Sequence, residues 1–130
     1  MPAIMRRWRG RALGAVALAV MATTAAAEAP DCGAETTTAA MRACMDAALI
    51  AETQAMEEAL AALLERVDPP RSTLLIEAQA AWEIWRDREA AFAASQAEGG
   101  TLAPLLALSE AFALTEARRT QLEAALAGED

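Results

Sequence analysis

The chain has 130 residues, enough for one domain, and they include 11 Arg, 19 Asp or Glu, two Cys and no His, Lys or Tyr. With no His and so few Cys, the sequence lacks the metal-ligand and nucleophile motifs of most enzymes, and we expect neither a metal site nor a cofactor. A net charge of −8 argues against nucleic acid as a partner.

Residues 1–27 have the layout of a secretory signal peptide. Four arginines precede an apolar run at 12–22 that holds no charge, and Ala25-Ala26-Ala27 offers a cleavage site before Glu28. The alternative is a membrane anchor, but the run is shorter than the roughly 20 strongly apolar residues that a span needs. Cys32 follows Ala-Pro-Asp, which does not resemble a lipidation site. We therefore expect a periplasmic or secreted protein that is free of the membrane after cleavage.

The mature domain, residues 28–130, is strongly acidic. It keeps 7 Arg against 19 Asp or Glu, a net charge of −12. Such a charge repels nucleic acids and anionic membranes and attracts basic partners, although acidity that serves only solubility is at least as common. In an oxidising compartment Cys32 and Cys44 are expected to form a disulfide, with a free reactive thiol pair as the other possibility.

The first helix is predicted over residues 36–67, where Ala, Met, Leu and Glu are frequent and Gly and Pro do not occur. Thr36, Thr37 and Thr38 are the candidates for its N-cap. Apolar residues recur along the segment at helical spacing, which predicts a buried face. This face consists of Met45, Leu49, Met56, Leu60, Leu63 and Val67.

The second helix is predicted over residues 70–96. Asp68-Pro69-Pro70 ends the first helix, because proline fits only the first turn of a helix, and Asp68 is the candidate cap of the second. Steps of three and four residues place two tryptophans and a phenylalanine on one face. We therefore expect this helix to be the central one, with the other helices packed on that face. The face consists of Leu75, Ala78, Trp82, Trp85 and Phe92.

The third helix is predicted over residues 101–126, after a turn at Gly99-Gly100 and with Pro104 in its first turn. No stretch alternates with the period of a strand, and the connections between the helices are short. The predicted fold class is therefore all-α, a three-helix antiparallel bundle that follows the cleaved signal peptide. The apolar face of the third helix consists of Leu105, Leu108, Phe112, Thr115, Leu122 and Leu126.

Charged residues interrupt two of these faces, with Glu89 on the second helix and Arg118 or Arg119 on the third. A buried charge needs a partner, so we expect an ion pair between Asp87 or Glu89 and Arg118 or Arg119. The alternative is that these long side chains extend to the solvent at the rim of the bundle.

A pair of carboxylates can in principle cleave glycosides. The adjacent Glu57 and Glu58 do not form such a pair, because neighbouring residues project about 100° apart on a helix. We therefore expect a binding protein and not an enzyme.

Several short motifs follow one another along the mature chain. They are Gln79-Ala80-Ala81-Trp82, Trp85-Arg86-Asp87-Arg88-Glu89, Gly99-Gly100-Thr101 and Leu114-Thr115-Glu116-Ala117-Arg118 with Leu122, preceded by Cys32, Thr38, Met41 and Cys44. As a set they resemble the LprI-like lysozyme-inhibitor domain, a family of small secreted or lipid-anchored bacterial helical domains. The usual pattern of that family is Q-x-x-W-x-x-[FY]-R-D-x-x-C, a glycine-rich turn, then C-x-x-x-x-T-x-x-R-x-x-x-L. The resemblance covers nearly the whole mature chain.

The chain departs from this pattern at two cysteines, which are replaced by Ala90 and Glu110. Because both are missing together, the resemblance implies that they bond to each other in relatives and that Cys32 and Cys44 are the remaining pair. The Leu-Asn-x-x-Tyr of the family's first helix is also replaced, by Met56-Glu57-x-x-Leu60.

The resemblance implies inhibition of a lysozyme in the cell envelope, and an acidic domain is complementary in charge to a basic lysozyme. The residues shared with the family are either a partner-binding face or the contacts that hold the fold. The second interpretation is favoured, because Trp82 lies on an apolar face. The alternative function is a helical envelope interaction module with a different protein partner, and the oligomeric state stays open. The shared residues are Gln79, Trp82, Arg86, Asp87 and Arg118.

Overall fold

The computed structural model describes residues 31–130, and the predicted signal peptide at 1–27 lies outside the described residues. A short 3-10 helix, Cys32–Ala34, precedes three α-helices: α1 (Thr38–Leu64), α2 (Arg71–Ser95) and α3 (Ala103–Ala127). No strand occurs within this part of the chain. The predicted all-α three-helix bundle is confirmed, and α2 runs antiparallel to α1 and α3.

The ends of the helices follow local sequence signals. Thr37, one of the three predicted caps, accepts a hydrogen bond from the backbone N–H of Ala40 at 3.1 Å. The predicted side-chain cap at Asp68 is wrong. Pro70 occupies the cap position of α2, and Asp68 contributes only its backbone carbonyl, which accepts from Ser72 N–H at 3.2 Å. Pro104 lies in the first turn of α3, where its missing N–H costs no helical hydrogen bond.

The hydrophobic core lies at the end of the bundle where α1 finishes and α2 begins. The predicted faces of α1 and α3 supply it, since Met56, Leu63 and Val67 are buried together with Leu122. Leu75 and Trp82 of α2 pack against this cluster and are themselves only half-buried. The remaining members of the cluster are Ala59, Leu60 and Leu126.

The central helix is α3 and not α2, so this prediction was wrong. The helix α3 packs along both α1 and α2. Two of the aromatic residues assigned to the core face of α2 are instead in solvent, Trp85 at 47% and Phe92 at 69% exposure, and Ala78 is exposed as well.

Two neighbouring stripes of α2 share the same spacing, which explains the error. The inner stripe faces the bundle and consists of Leu75, Gln79, Trp82 and Arg86, all buried or half-buried. The outer stripe faces solvent and consists of Leu74, Ala78, Ala81, Trp85, Arg88 and Phe92, all exposed. The inner stripe carries two polar residues and the outer stripe two aromatic ones, so hydrophobicity alone selects residues from both.

Covalent and ionic contacts fix both ends of the described chain. Cys32 and Cys44 form the predicted disulfide, with 5.6 Å between their Cα atoms, and it attaches the 3-10 helix to α1. At the other end, Arg66 pairs with Asp130 and Arg71 pairs with Glu129. The hydrogen bond from Arg71 holds the pKa of Glu129 below its usual value.

None of the helices within residues 31–130 combines the length and the hydropathy that a bilayer-spanning segment requires.

Candidate functional site

Gln79 is the centre of a polar contact that joins all three helices. Its side chain, on the inner stripe of α2, is buried at 4% exposure. Its Oε1 accepts a hydrogen bond from Arg118 Nε of α3 at 2.9 Å, and its Nε2 donates to Glu83 Oε1 at 3.3 Å. The same Nε2 lies 3.7 Å from the sulfur of Met56 on α1. A buried amide is costly unless it is hydrogen-bonded, and here both of its ends are satisfied.

Two guanidinium groups lie over the indole ring of Trp82. The Cζ of Arg86 is 5.3 Å from the ring centre, and that of Arg118 is 5.9 Å away. Both distances suit a cation–π interaction, which is stronger where water is partly excluded. Burial lowers the pKa of Arg118 from its ordinary value, as expected for a cation that gives up part of its hydration. Arg118 also donates to Gln121 Oε1 at 3.3 Å.

Asp87 joins this cluster through Arg86. The Nε and Nη2 atoms of Arg86 donate to Asp87 Oδ1 at 3.0 and 2.8 Å. The side chain of Asp87 is largely exposed, whereas that of Arg86 is mostly covered. The five residues selected from the family motif therefore form one connected set, which we call the Gln79 network. It runs from the buried amide to the solvent at Asp87.

The interhelix ion pair predicted for Arg118 or Arg119 exists, but its carboxylate comes from a different helix. Arg119 of α3 pairs with Glu52 of α1 and with Glu123 one turn along α3. Its hydrogen bond to Glu52 raises the pKa of Arg119. Asp87 instead binds the adjacent Arg86, so the predicted pair with α2 is wrong. The reason is that Arg119 lies on the side of α3 that faces α1.

Sequence reasoning missed Glu52, although the signal was present. Glu52 follows Leu49 by three residues and precedes Met56 by four, so it occupies a position on the buried face of α1. Its side chain is only 12% exposed. A charge on a packed face predicts a partner across the interface, and for Arg119 that partner lies on α1 and not on α2.

The buried face of α3 also contains Thr115, which is fully buried. Its hydroxyl donates to the carbonyl of Ala111 at 2.7 Å, within the same helix. This bond satisfies the hydroxyl locally, so Thr115 fills a position between helices without needing a partner on another one. Within residues 31–130 no group of acidic, Cys or His side chains is arranged to hold a metal ion.

These features define a class of protein: a small three-helix domain that carries a disulfide at its N-terminal edge and whose helices are joined by buried amide and arginine side chains. A sequence model of the family described as lysozyme inhibitor LprI matches residues 30–122. The chain belongs to this family, as the motif resemblance indicated. No curated protein and no solved structure gives a significant match to the chain.

Proposed function

We propose that the mature domain is an exported inhibitor that binds a basic lysozyme through complementary charge and shape. The observation that carries this proposal is the family match, which spans residues 30–122 and whose family is described as lysozyme inhibitors. The Cys32–Cys44 disulfide supports export, because disulfides persist mainly in oxidising compartments. The signal-like segment at 1–27 supports it as well.

The distribution of charge supports a basic partner. Residues 31–130 contain 7 Arg against 18 Asp or Glu, a net charge of −11. Four of the seven arginines are held in ion pairs with carboxylates: Arg66, Arg71, Arg86 and Arg119. The charge that a partner meets is therefore mainly negative. Such a field raises the rate at which a positively charged protein is encountered.

The contact surface that we favour is the acidic face of α1, defined as Glu57, Glu58 and Glu65. All three residues are exposed. Glu58 and Glu65, the C-cap residue of α1, lie on the side of the helix opposite Met56, and Glu57 lies about 100° from Glu58. They take part in none of the ion pairs between described residues. A carboxylate without an internal partner keeps its charge available for a partner protein.

The Gln79 network is the other candidate surface. Its centre is unsuited to direct contact, because Gln79 is buried and its amide already has partners. We therefore propose that the network mainly holds α2 against α3. A partner that engages this region would meet Asp87, whose side chain is 68% exposed.

Direct titration tests the proposed complex. The protein is expressed from its full sequence, recovered from the periplasm and titrated with a basic lysozyme by calorimetry. We expect saturable binding that weakens by about tenfold or more between 20 and 300 mM salt, because screening shortens the reach of surface charge to a few Å. An acidic protein of similar size is the control and should give no binding heat. Capture of a different basic envelope protein, with no lysozyme binding at low salt, would instead favour an interaction module for another partner.

A further inference from the structure

The outer stripe of α2 is an exposed apolar surface on a regular helix. Leu74, Trp85 and Phe92 are 61%, 47% and 69% exposed, and Ile84 beside them is 65% exposed. Exposed side chains of this size offer together about 400–600 Å² of apolar area, which is the upper end of what a monomer usually leaves uncovered. The members of this stripe are exposed within residues 31–130, because α3 packs on the neighbouring inner stripe of α2.

The stripe has the spacing of a two-stranded helical interface. Its members follow one another in alternating steps of four and three residues, the pattern that keeps a seam facing a partner helix. The pattern is also symmetric. The centre of symmetry is residue 83, which is the midpoint of α2, Arg71–Ser95. The members of the stripe form pairs at equal distances from it, namely 74 and 92, 78 and 88, and 81 and 85. Two copies of α2 can therefore pair antiparallel along their full length, with the N-terminus of each helix beside the C-terminus of the other.

This antiparallel pairing matches large side chains with small ones. It sets Leu74 against Phe92 of the second copy and Trp85 against Ala81 of the second copy, so that a bulky ring meets a methyl group. Ile84 lies at the edge of this seam, because it precedes Trp85 by one residue and projects about 100° from it. Alternating large and small residues across an interface is what allows two helices to interdigitate.

The pairing is also complementary in charge. Arg88 is the one charged member of the outer stripe, and the symmetry sets it against Ala78 of the second copy, next to Glu77. Both side chains are exposed, and neither takes part in the ion pairs between described residues. Two Arg88–Glu77 contacts, one on each side of the axis, would neutralise the only cation on the stripe. A like-charged arrangement would oppose the pairing.

We propose that this protein forms an isologous dimer in which the outer stripes of two α2 helices pack antiparallel about the midpoint of the helix, residue 83. Closed two-fold dimers of this kind are the commonest protein oligomers. The apolar area from two copies totals about 1,000 Å², the lower limit for a specific interface and the size typical of weak, reversible association. The acidic face of α1 lies on a different helix and takes no part in this contact.

Sedimentation velocity over a concentration series tests the dimer with a matched pair of variants. Ala81→Glu places a carboxylate against Trp85 of the second copy on each side of the axis. Ala80→Glu makes the same change one residue away, at an exposed site that lies outside the outer stripe. We expect A81E to weaken dimerisation by about 100-fold or more, because burying unpaired charge is costly, and A80E to leave it unchanged. Both variants should keep the wild-type melting temperature.

Charge exchange gives an independent readout. Glu77→Arg and Arg88→Glu should each weaken the dimer, and the double variant should restore it, since the two contacts reappear with reversed sign. A wild-type protein that stays monomeric up to about 1 mM would overturn the proposal, since a constant weaker than this corresponds to almost no specific binding. A dimer weakened equally by A81E and A80E would overturn it too, because the interface would then lie elsewhere.

Discussion

Gln79→Leu is expected to lower the free energy of unfolding by about 2 kcal/mol, because it leaves the half-buried guanidinium of Arg118 without its acceptor on α2. Leucine is close to glutamine in volume, so the loss does not include a large cavity. Arg118 keeps Gln121 and the ring of Trp82 as partners, which limits the cost. For a domain of this size the melting temperature should fall by about 10 °C, as measured by circular dichroism.

The matched control is Gln121→Leu. Gln121 also accepts a hydrogen bond from Arg118, at 3.3 Å, but it is exposed, and water can replace it. This variant should change the unfolding free energy by less than about 0.5 kcal/mol. Equal melting temperatures for the two variants would contradict a holding role for the Gln79 network. That result would instead favour a role of the network residues in binding a partner.

Reversal of two charges on the acidic face of α1 is expected to have the largest effect on inhibition. In Glu57→Lys with Glu58→Lys, two carboxylates become ammonium groups that repel a basic lysozyme. The concentration needed for half-inhibition should rise by about tenfold or more at low salt, equivalent to at least about 1.4 kcal/mol of binding free energy. Both residues are exposed and lysine favours the helix as glutamate does, so the fold should persist.

A control variant with the same change in net charge separates the effect of the acidic face of α1 from the effect of the total charge of the protein. Glu35 and Glu98 are exposed and lie outside the helices, at the end of the bundle away from Glu65. Glu35→Lys with Glu98→Lys should raise the half-inhibitory concentration only slightly. If both double variants weaken inhibition equally, the acidic face of α1 is not the contact surface and only the total charge matters.

The backbone plan of this domain was predictable from sequence, because local signals define it. The Pro69-Pro70 and Gly99-Gly100 breaks separate the helices to within a few residues of the observed ends. The apolar faces of α1 and α3 were predictable as well, since their buried positions carry apolar side chains, as at Met56 and Leu122. The disulfide was predictable from the presence of only two cysteines together with the predicted signal peptide.

The orientation of α2 was not predictable from hydrophobicity, because its inner stripe carries Gln79 and Arg86 and its outer stripe carries Trp85 and Phe92. The burial of Gln79 cannot be predicted from the local sequence, because it depends on a hydrogen bond from Arg118, which lies 39 residues away. For the same reason the family motif identified residues that lie together, but not whether they face a partner or the core. The burial of Glu52 was not predictable for the same reason, because its partner Arg119 lies 67 residues away in sequence.

The central claim is that this acidic helical domain slows a basic lysozyme by binding it. The most direct measurement is the rate at which such a lysozyme clears a suspension of bacterial cell walls, with and without the purified protein, at low ionic strength. We predict a dose-dependent slowing that saturates at micromolar protein and diminishes as salt is added, since low salt strengthens the attraction between surface charges. An unchanged clearing rate at micromolar protein and low salt would contradict it.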